Sequence, residues 1–254
     1  MADLRIDTNA CVTTITLNRL EKKNAVTAAM YTGLTDALVK AMSDEAVRVV
    51  VLQGHETIFT SGNDINDFVE SPPKREDAPV FRFLRALSTF PKPVVAAVCG
   101  PAVGIGTTML FHCDLVYAGD NAAFSMPFVN LGVCPEAASS YLAPRLMGYG
   151  RAAEALLLGD PFMAEAALEM GLVQRIVPPY DVNALAQRQA QKLASKPMSS
   201  LLETKWLMKK GQASFVAEHI MEEAAAFGRM LSEPAALEAF GAFLEKRQPD
   251  FSGL

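Results

Sequence analysis

The chain has no block of basic residues. Its formal net charge is −5 over 254 residues, so nothing in the sequence would gather nucleic acid or an anionic membrane, and neither is expected as a partner. Cysteine is sparse. Cys11, Cys99, Cys113 and Cys134 lie far apart without a C-x-x-C pair, and three of them stand in apolar surroundings. That excludes a disulfide frame or a zinc site and predicts buried free thiols in a reducing compartment. The histidines, His55, His112 and His219, lack metal-ligand spacing; no metal site is expected and they are assigned no chemistry. No apolar run is long enough to span a bilayer. The chain opens on strand-like segments at 4–7 and 12–17, not on a charged stretch followed by an apolar one, so a soluble, cytoplasmic protein is expected.

Half the residues are hydrophobic and a fifth are charged, the balance of one large α/β domain with room for a helical appendage. Helical spacing runs over 27–42, and a buried-strand run over 47–52 ends at Gly54. Residues 71–77 form a polar, proline-bearing loop, and an apolar-faced helix at 81–90 stops at Pro91. Strands follow at 94–98 and 115–117. Beyond Gly150 the chain turns helical: 151–158, then 164–170 with Gly171 as C-cap, then a last strand at 173–177. From 181 to 247 it is nearly all helix, broken at Lys196-Pro197, Gly211 and Glu233-Pro234. Phe227, Met230, Leu231, Phe240, Phe243 and Leu244 give this tail an apolar side that suits its own core or a subunit interface equally.

Two glycine turns carry the chemistry. After the strand at 94–98 come Gly100, Gly104 and Gly106, followed by a helix-compatible run at 107–113. The other turn is Ile58-Phe59-Thr60-Ser61-Gly62-Asn63-Asp64-Ile65, after the strand at 47–52. Glycine lets a ligand approach the main chain, and the N–H groups opening a helix suit developing negative charge. Either turn alone fits a tight strand-to-helix connection with no ligand. Two of them, after neighbouring parallel strands, can aim one N–H each at the same point and form an oxyanion hole. Neither matches G-x-G-x-x-G or G-x-x-x-x-G-K-[ST], which disfavours hydride transfer and nucleotide hydrolysis.

The order of motifs resembles the crotonase superfamily, the enoyl-CoA hydratases and isomerases. It covers almost the whole chain: Leu17-Asn18-Arg19-Leu20-Glu21-Lys22-Lys23-Asn24-Ala25, the turn at 59–65, the turn at 100–106, Cys113-Asp114-Leu115, and a closing Phe243-Leu244-Glu245-Lys246-Arg247-Gln248-Pro249-Asp250-Phe251. The resemblance implies an α/β crotonase (ClpP-like) spiral of ββα units over 1–195 that carries the CoA and acyl site. It implies a C-terminal helical trimerisation region over 196–254, and hence a homotrimer or a hexamer of paired trimers. Acyl-CoA thioesters would be substrates, with coenzyme A part of the substrate and no separate cofactor. By motif position, the thioester oxygen would accept from the backbone N–H of Asn63 and of Ile105. Lys22, Lys23, Ser61, Asp64 and Ile65 would lie by the coenzyme, although surface lysines are commonly just solvated and Asp64 suits a structural hydrogen-bonding role. Lys246 would reach a neighbouring subunit's coenzyme. Phe68 and Phe128 would line the acyl channel or serve as core.

The departures point to the reaction. Where the hydratases of this family carry two glutamates that hold and activate water, this sequence has Thr108 and Phe128. A carboxylate stands instead in Cys134-Pro135-Glu136-Ala137-Ala138-Ser139-Ser140. That segment resembles the Pro-Glu-Gly-x-Ser-Ser loop of the peroxisomal type of Δ3,Δ2-enoyl-CoA isomerase, with Ala137 replacing the glycine. The resemblance makes Glu136 the catalytic acid/base, and its apolar neighbours predict a raised proton affinity. Read without it, Glu136 is a loop carboxylate capping a helix over 137–146. The expected activity is a shift of a 3-enoyl-CoA double bond to the trans-2 position in fatty-acid oxidation. The rivals are hydration or another enolate-forming reaction, and a non-catalytic acyl-CoA-binding scaffold.

Overall fold

The structure, a computed structural model, describes residues 2–70, 73 and 77–254. Most of the loop expected at 71–77 lies outside them. The strands are β1 (Leu4–Asn9), β2 (Val12–Leu17), β3 (Val49–Gln53), β4 (Val94–Val98), β5 (Pro101–Val103), β6 (Leu115–Gly119), β7 (Ala123–Ser125), β8 (Phe162–Met163) and β9 (Arg175–Val177). The helices are α1 (Ala28–Ser43), α2 (Ile65–Glu70), α3 (Pro79–Ser88), α4 (Ile105–Thr108), α5 (Ser139–Met147), α6 (Tyr149–Ala153), α7 (Ala164–Glu169), α8 (Pro179–Ala194), α9 (Met198–Lys209), α10 (Ala213–Met230) and α11 (Pro234–Glu245).

Six strands pair in the order β1-β2-β3-β4-β6-β9, and β5-β7-β8 form a smaller second sheet. In the large sheet only the β1–β2 pair is antiparallel; the others run parallel. Both faces are buried, which is why β3 and β4 read as unbroken apolar runs. Val50 and Leu52 face the core shared with α1, α3 and α10. Val49 and Val51 face α8, against Val182, Leu185, Ala186 and Ala190. Successive side chains of a strand alternate faces, so one short run feeds two cores.

The chain climbs in repeated turns, each a strand of the large sheet, a stretch of the small one, then a helix. β4, β5 and α4 form one turn, and β6, β7 and α5 the next. The turn before them uses β3, a bridge between Thr60 and Ala102, and α2. β5 corrects the expectation of a single three-glycine turn: the chain makes two turns around a short strand. Gly100 sits at φ +60°, and a Cβ there would lie 2.0 Å from the Thr57 carbonyl oxygen, so the first of these turns tolerates no side chain. The following helix begins at Ile105, earlier than position 107, and tightens into a 3-10 turn at Met109–His112.

α10 and α11 pack on the body of the chain. Val216 and Ile220 join the main core, while Phe227, Leu231, Ala236 and Phe240 close a second cluster with Met126, Phe128 and Val133. All four cysteines are free thiols; Cys99 is buried and Cys11 is exposed. No helix among the described residues is long and apolar enough to cross a membrane.

Candidate active site

The two glycine turns lie side by side. Thr60 N–H donates to the Pro101 carbonyl at 3.0 Å, and Val103 N–H donates to the Thr60 carbonyl at 3.0 Å. Gly62, at φ +91°, packs so closely on Val103 that a Cβ would sit 3.0 Å from its carbonyl oxygen. Gly62 O and Asp64 N–H are both bonded to Val26, at 2.8 and 2.9 Å. That pairing leaves the intervening Asn63 N–H turned away, and it donates to no acceptor among the described residues. In the second turn Gly104 takes φ +55° and donates its N–H to the Ser125 carbonyl at 2.9 Å. Its carbonyl accepts from Thr107 and Thr108. Ile105 N–H, the first of α4, likewise has no acceptor among the described residues. Each expected oxyanion donor is thus an unpaired amide held by bonded neighbours.

The segment before α1 positions the first turn. Buried Asn24, itself at φ +54°, donates from Nδ2 to the Phe59 carbonyl at 3.0 Å, and Ser61 N–H donates to the Lys23 carbonyl at 3.0 Å. Arg19 pairs with Asp64 at 2.6 Å. Asp64 also accepts from the N–H groups of Asn66 and Asp67 at the start of α2. Burial pushes the Asp64 carboxyl up, but the Arg19 guanidinium and these amides outweigh it and hold the group below its ordinary value. Asp64 therefore fastens the turn. Tyr31 on α1 donates its phenol to Asn63 Oδ1 at 2.5 Å. Burial first, then Glu136 and Asp67, keep that phenol protonated far above its ordinary value.

A cavity of about 470 Å³ opens on this corner. It brings together Lys22, Lys23, Ser61, Asn63, Asp64, Ile65 and Phe128 of the expected residues, and Gly104 lines it beside the Ile105 amide. Phe227, Phe240 and Phe243 of α10 and α11 also line it, so the apolar tail roofs the site within one chain. Lys246 is exposed at the end of α11 and is not on the wall. The Phe68 side chain lies outside what is described.

Glu136 is buried, 5% exposed, and sits off the cavity wall. Thr108, at the end of the short helix that Ile105 opens, places its hydroxyl 3.5 Å from Glu136 Oε1. Thr108 thus links the carboxyl to the helix whose first amide is the second expected oxyanion donor. Burial first, then the nearby Glu223 carboxylate, raise Glu136 from an ordinary 4.5 to about 8, with the Thr108 hydroxyl a small opposing pull. The helix-capping alternative is corrected: Glu136 does not cap α5. Glu223 of α10 does, accepting from Ala138 N–H at 2.6 Å, Ser140 N–H at 3.0 Å and Ser140 Oγ at 2.5 Å.

Three residues here escape sequence reasoning. For Glu223 the signal is a charge on the stripe Val216, Ile220, Glu223, Phe227, whose 3.6-residue spacing marks a buried helix face. His112 is buried with Nε2 2.8 Å from the Ala137 carbonyl. A carbonyl only accepts, so that nitrogen carries the proton, and burial, partly offset by this bond, drops the imidazole to about 4, leaving it neutral. Tyr31 carries no sequence signal; only folding sets α1 against the first turn.

Comparison with known proteins gives a consistent set. The model of the enoyl-CoA hydratase/isomerase family matches residues 7–253. Enoyl-CoA delta isomerase 2 of Rattus norvegicus is 40% identical over 207 residues, 79% of this chain and 53% of that protein. The chain thus spans about half the length of the curated isomerases it matches. The 2,3-dehydroadipyl-CoA hydratase of Escherichia coli is 30% identical across the full length of both. Among solved structures, Pseudomonas aeruginosa OdaA superposes with a TM-score of 0.94 at 46% identity, covering 96% of this chain and 99% of that one. An enoyl-CoA hydratase/isomerase from Pseudoalteromonas atlantica also gives 0.94, at 37% identity, covering 99% and 100%.

Proposed function

Because the chain belongs to the enoyl-CoA hydratase/isomerase family and has the crotonase fold, we propose that it isomerises 3-enoyl-CoA thioesters to trans-2-enoyl-CoA, with Glu136 as sole acid/base. The Glu136 carboxylate takes a proton from C2, the electrons move into the thioester, and the dienolate oxygen is held by the N–H groups of Asn63 and Ile105. The same carboxyl group returns a proton to C4, leaving the double bond between C2 and C3. The atoms balance without water or a redox partner.

The observation that carries this reading is one buried carboxyl of raised proton affinity in contact with Thr108, on the short helix whose first amide, Ile105 N–H, is unpaired among the described residues. A group of raised pKa is basic enough for C–H abstraction, and the amides stabilise the charge that develops. Water activation has less support. Thr108 and Phe128 occupy the positions at which the family's hydratases carry glutamates, and Glu223 has its carboxylate committed to three donors. Lys22 and Lys23 at the cavity rim would face the coenzyme phosphates. The apolar wall of Phe128, Phe227, Phe240 and Phe243 would take the acyl chain. Self-association through the C-terminal helices of 196–254, as a trimer or paired trimers, would bring Lys246 to a neighbour's coenzyme.

The test runs 3-enoyl-CoA isomerisation beside 2-enoyl-CoA hydration in wild type and Glu136→Gln. Isomerisation falling by about 10²-fold or more, the span of general acid–base catalysis, with negligible hydration in either protein, is the expected result. Hydration that survives the substitution would refute the single-carboxylate mechanism. CoA-ester binding with no turnover in wild type would favour a scaffold.

A further inference from the structure

We infer that Glu223, on α10 and remote in sequence from both glycine turns, is a positioning residue that fixes the conformation of the 136–140 loop and thereby the direction in which Glu136 presents its carboxyl. This rests on the reading of Glu136 as acid/base. The need for such a residue lies in the backbone. Ala137 and Ala138 both adopt left-handed φ, +62° and +54°, a region that strains any residue carrying a Cβ. Two in succession persist only if their surroundings over-determine them. The restraints grip successive residues: His112 holds the Ala137 carbonyl, and Glu223 holds the Ala138 amide and both donors of Ser140. Glu223 also supplies negative charge to the N-terminus of α5, which has no side-chain cap of its own.

The same carboxylate acts on Glu136 through space. The groups facing Glu136 are Thr108 from α4, Tyr31 from α1, Cys134 from its own loop and Glu223 from α10. Those facing Glu223 are Ser140 at the start of α5, His219 on its own helix, and Cys134. Glu223 is the neighbour whose charge pushes the Glu136 carboxyl upward. Replacing it should therefore change two separable quantities, the loop geometry and the proton affinity of Glu136.

Glu223→Gln keeps one acceptor oxygen but sets an N–H against the Ala138 N–H. Glu223→Asp keeps the charge and shortens the reach. Both should lower kcat by about 10- to 100-fold, the cost of misplacing a catalytic group by around an ångström. KM for the CoA ester should stay within about twofold, because the cavity wall is untouched. Only the glutamine variant should also move the acid limb of the pH–rate profile to lower pH. A folded Glu223→Gln protein with wild-type kcat and an unmoved limb would overturn the inference. If that variant does not fold, Ser140→Ala removes one donor without burying a new group. Its kcat should fall severalfold at unchanged KM, and a wild-type kcat there would overturn the inference instead. Glu136→Gln, run in parallel, separates the two readings: if it keeps full turnover the acid/base assignment fails and takes the Glu223 role with it, whereas an inactive Glu136→Gln beside an unaffected Glu223→Gln removes the Glu223 role alone.

Discussion

Glu136→Gln should make the protein more stable, increasingly so as pH rises. In the unfolded chain the glutamate ionises near 4.5; in the native site burial and Glu223 hold the proton to about 8. The native state therefore binds more protons than the unfolded state between those values, and stability falls with pH across that window. Below about pH 4.5 both states are protonated and the glutamine variant gains nothing. Above about pH 8 both are ionised and the gain is complete. Each pH unit in between contributes up to 1.36 kcal/mol, so the full window allows at most about 5 kcal/mol. Relaxation of the loop and entry of water around the ionised carboxylate return part of this, leaving about 2 kcal/mol or more. Urea unfolding of both proteins at pH 4.5, 6, 7.5 and 9, at one protein concentration, measures the difference directly. A difference that does not vary with pH would refute the buried, proton-retaining state of Glu136. Its loss of activity together with a gain in stability would also mark the site as one where function is held at the expense of the fold.

Two further outcomes follow from the geometry around the loop and the first turn. Tyr31→Phe removes the hydrogen bond to Asn63 Oδ1 while keeping the ring against Phe83. The Asn63 amide should be less well aimed and kcat should fall about fivefold, for a bond worth roughly 1 kcal/mol; an unchanged kcat would show that the phenol does not position the turn. Ala137→Gly relieves a left-handed alanine and should raise stability by about 1 kcal/mol, or Tm by roughly 3 °C. Calorimetry showing a lower Tm would mean that the alanine methyl, buried in the core, is worth more than the strain it carries.

Much of the fold was legible because the relevant signals are local. The apolar runs at 47–52 and 94–98, the helical spacing over 27–42 and the breaks at Lys196-Pro197 and Glu233-Pro234 all reappear in the folded chain, and Gly171 takes its left-handed turn one residue past Met170, which caps α7. The small second sheet was harder to see. β5 and β7 are three residues each and β8 is two, too short to show an alternation, and they exist only because neighbouring turns of the spiral pair with them. The lining of the cavity was legible in part. Lys22, Lys23 and the 58–65 turn carry motif signals, whereas Phe227, Phe240 and Phe243 looked like any apolar helix face until the tail folded over the site.

The sequence on its own determined the order of strand, glycine turn and helix, the absence of side chains where backbones meet, and the identity of the carboxyl in the 134–140 loop. Those are properties of single residues and their immediate neighbours, and a linear reading can see them. It could not determine what surrounds that carboxyl. The proton affinity of Glu136 depends on solvent being excluded and on a like charge 87 positions away, and the left-handed pair at 137–138 depends on His112 and Glu223 reaching in from other elements. Desolvation and through-space charge act across distances in space that bear no relation to distances along the chain, so the chemistry of this site was decided only when α10 closed over the loop.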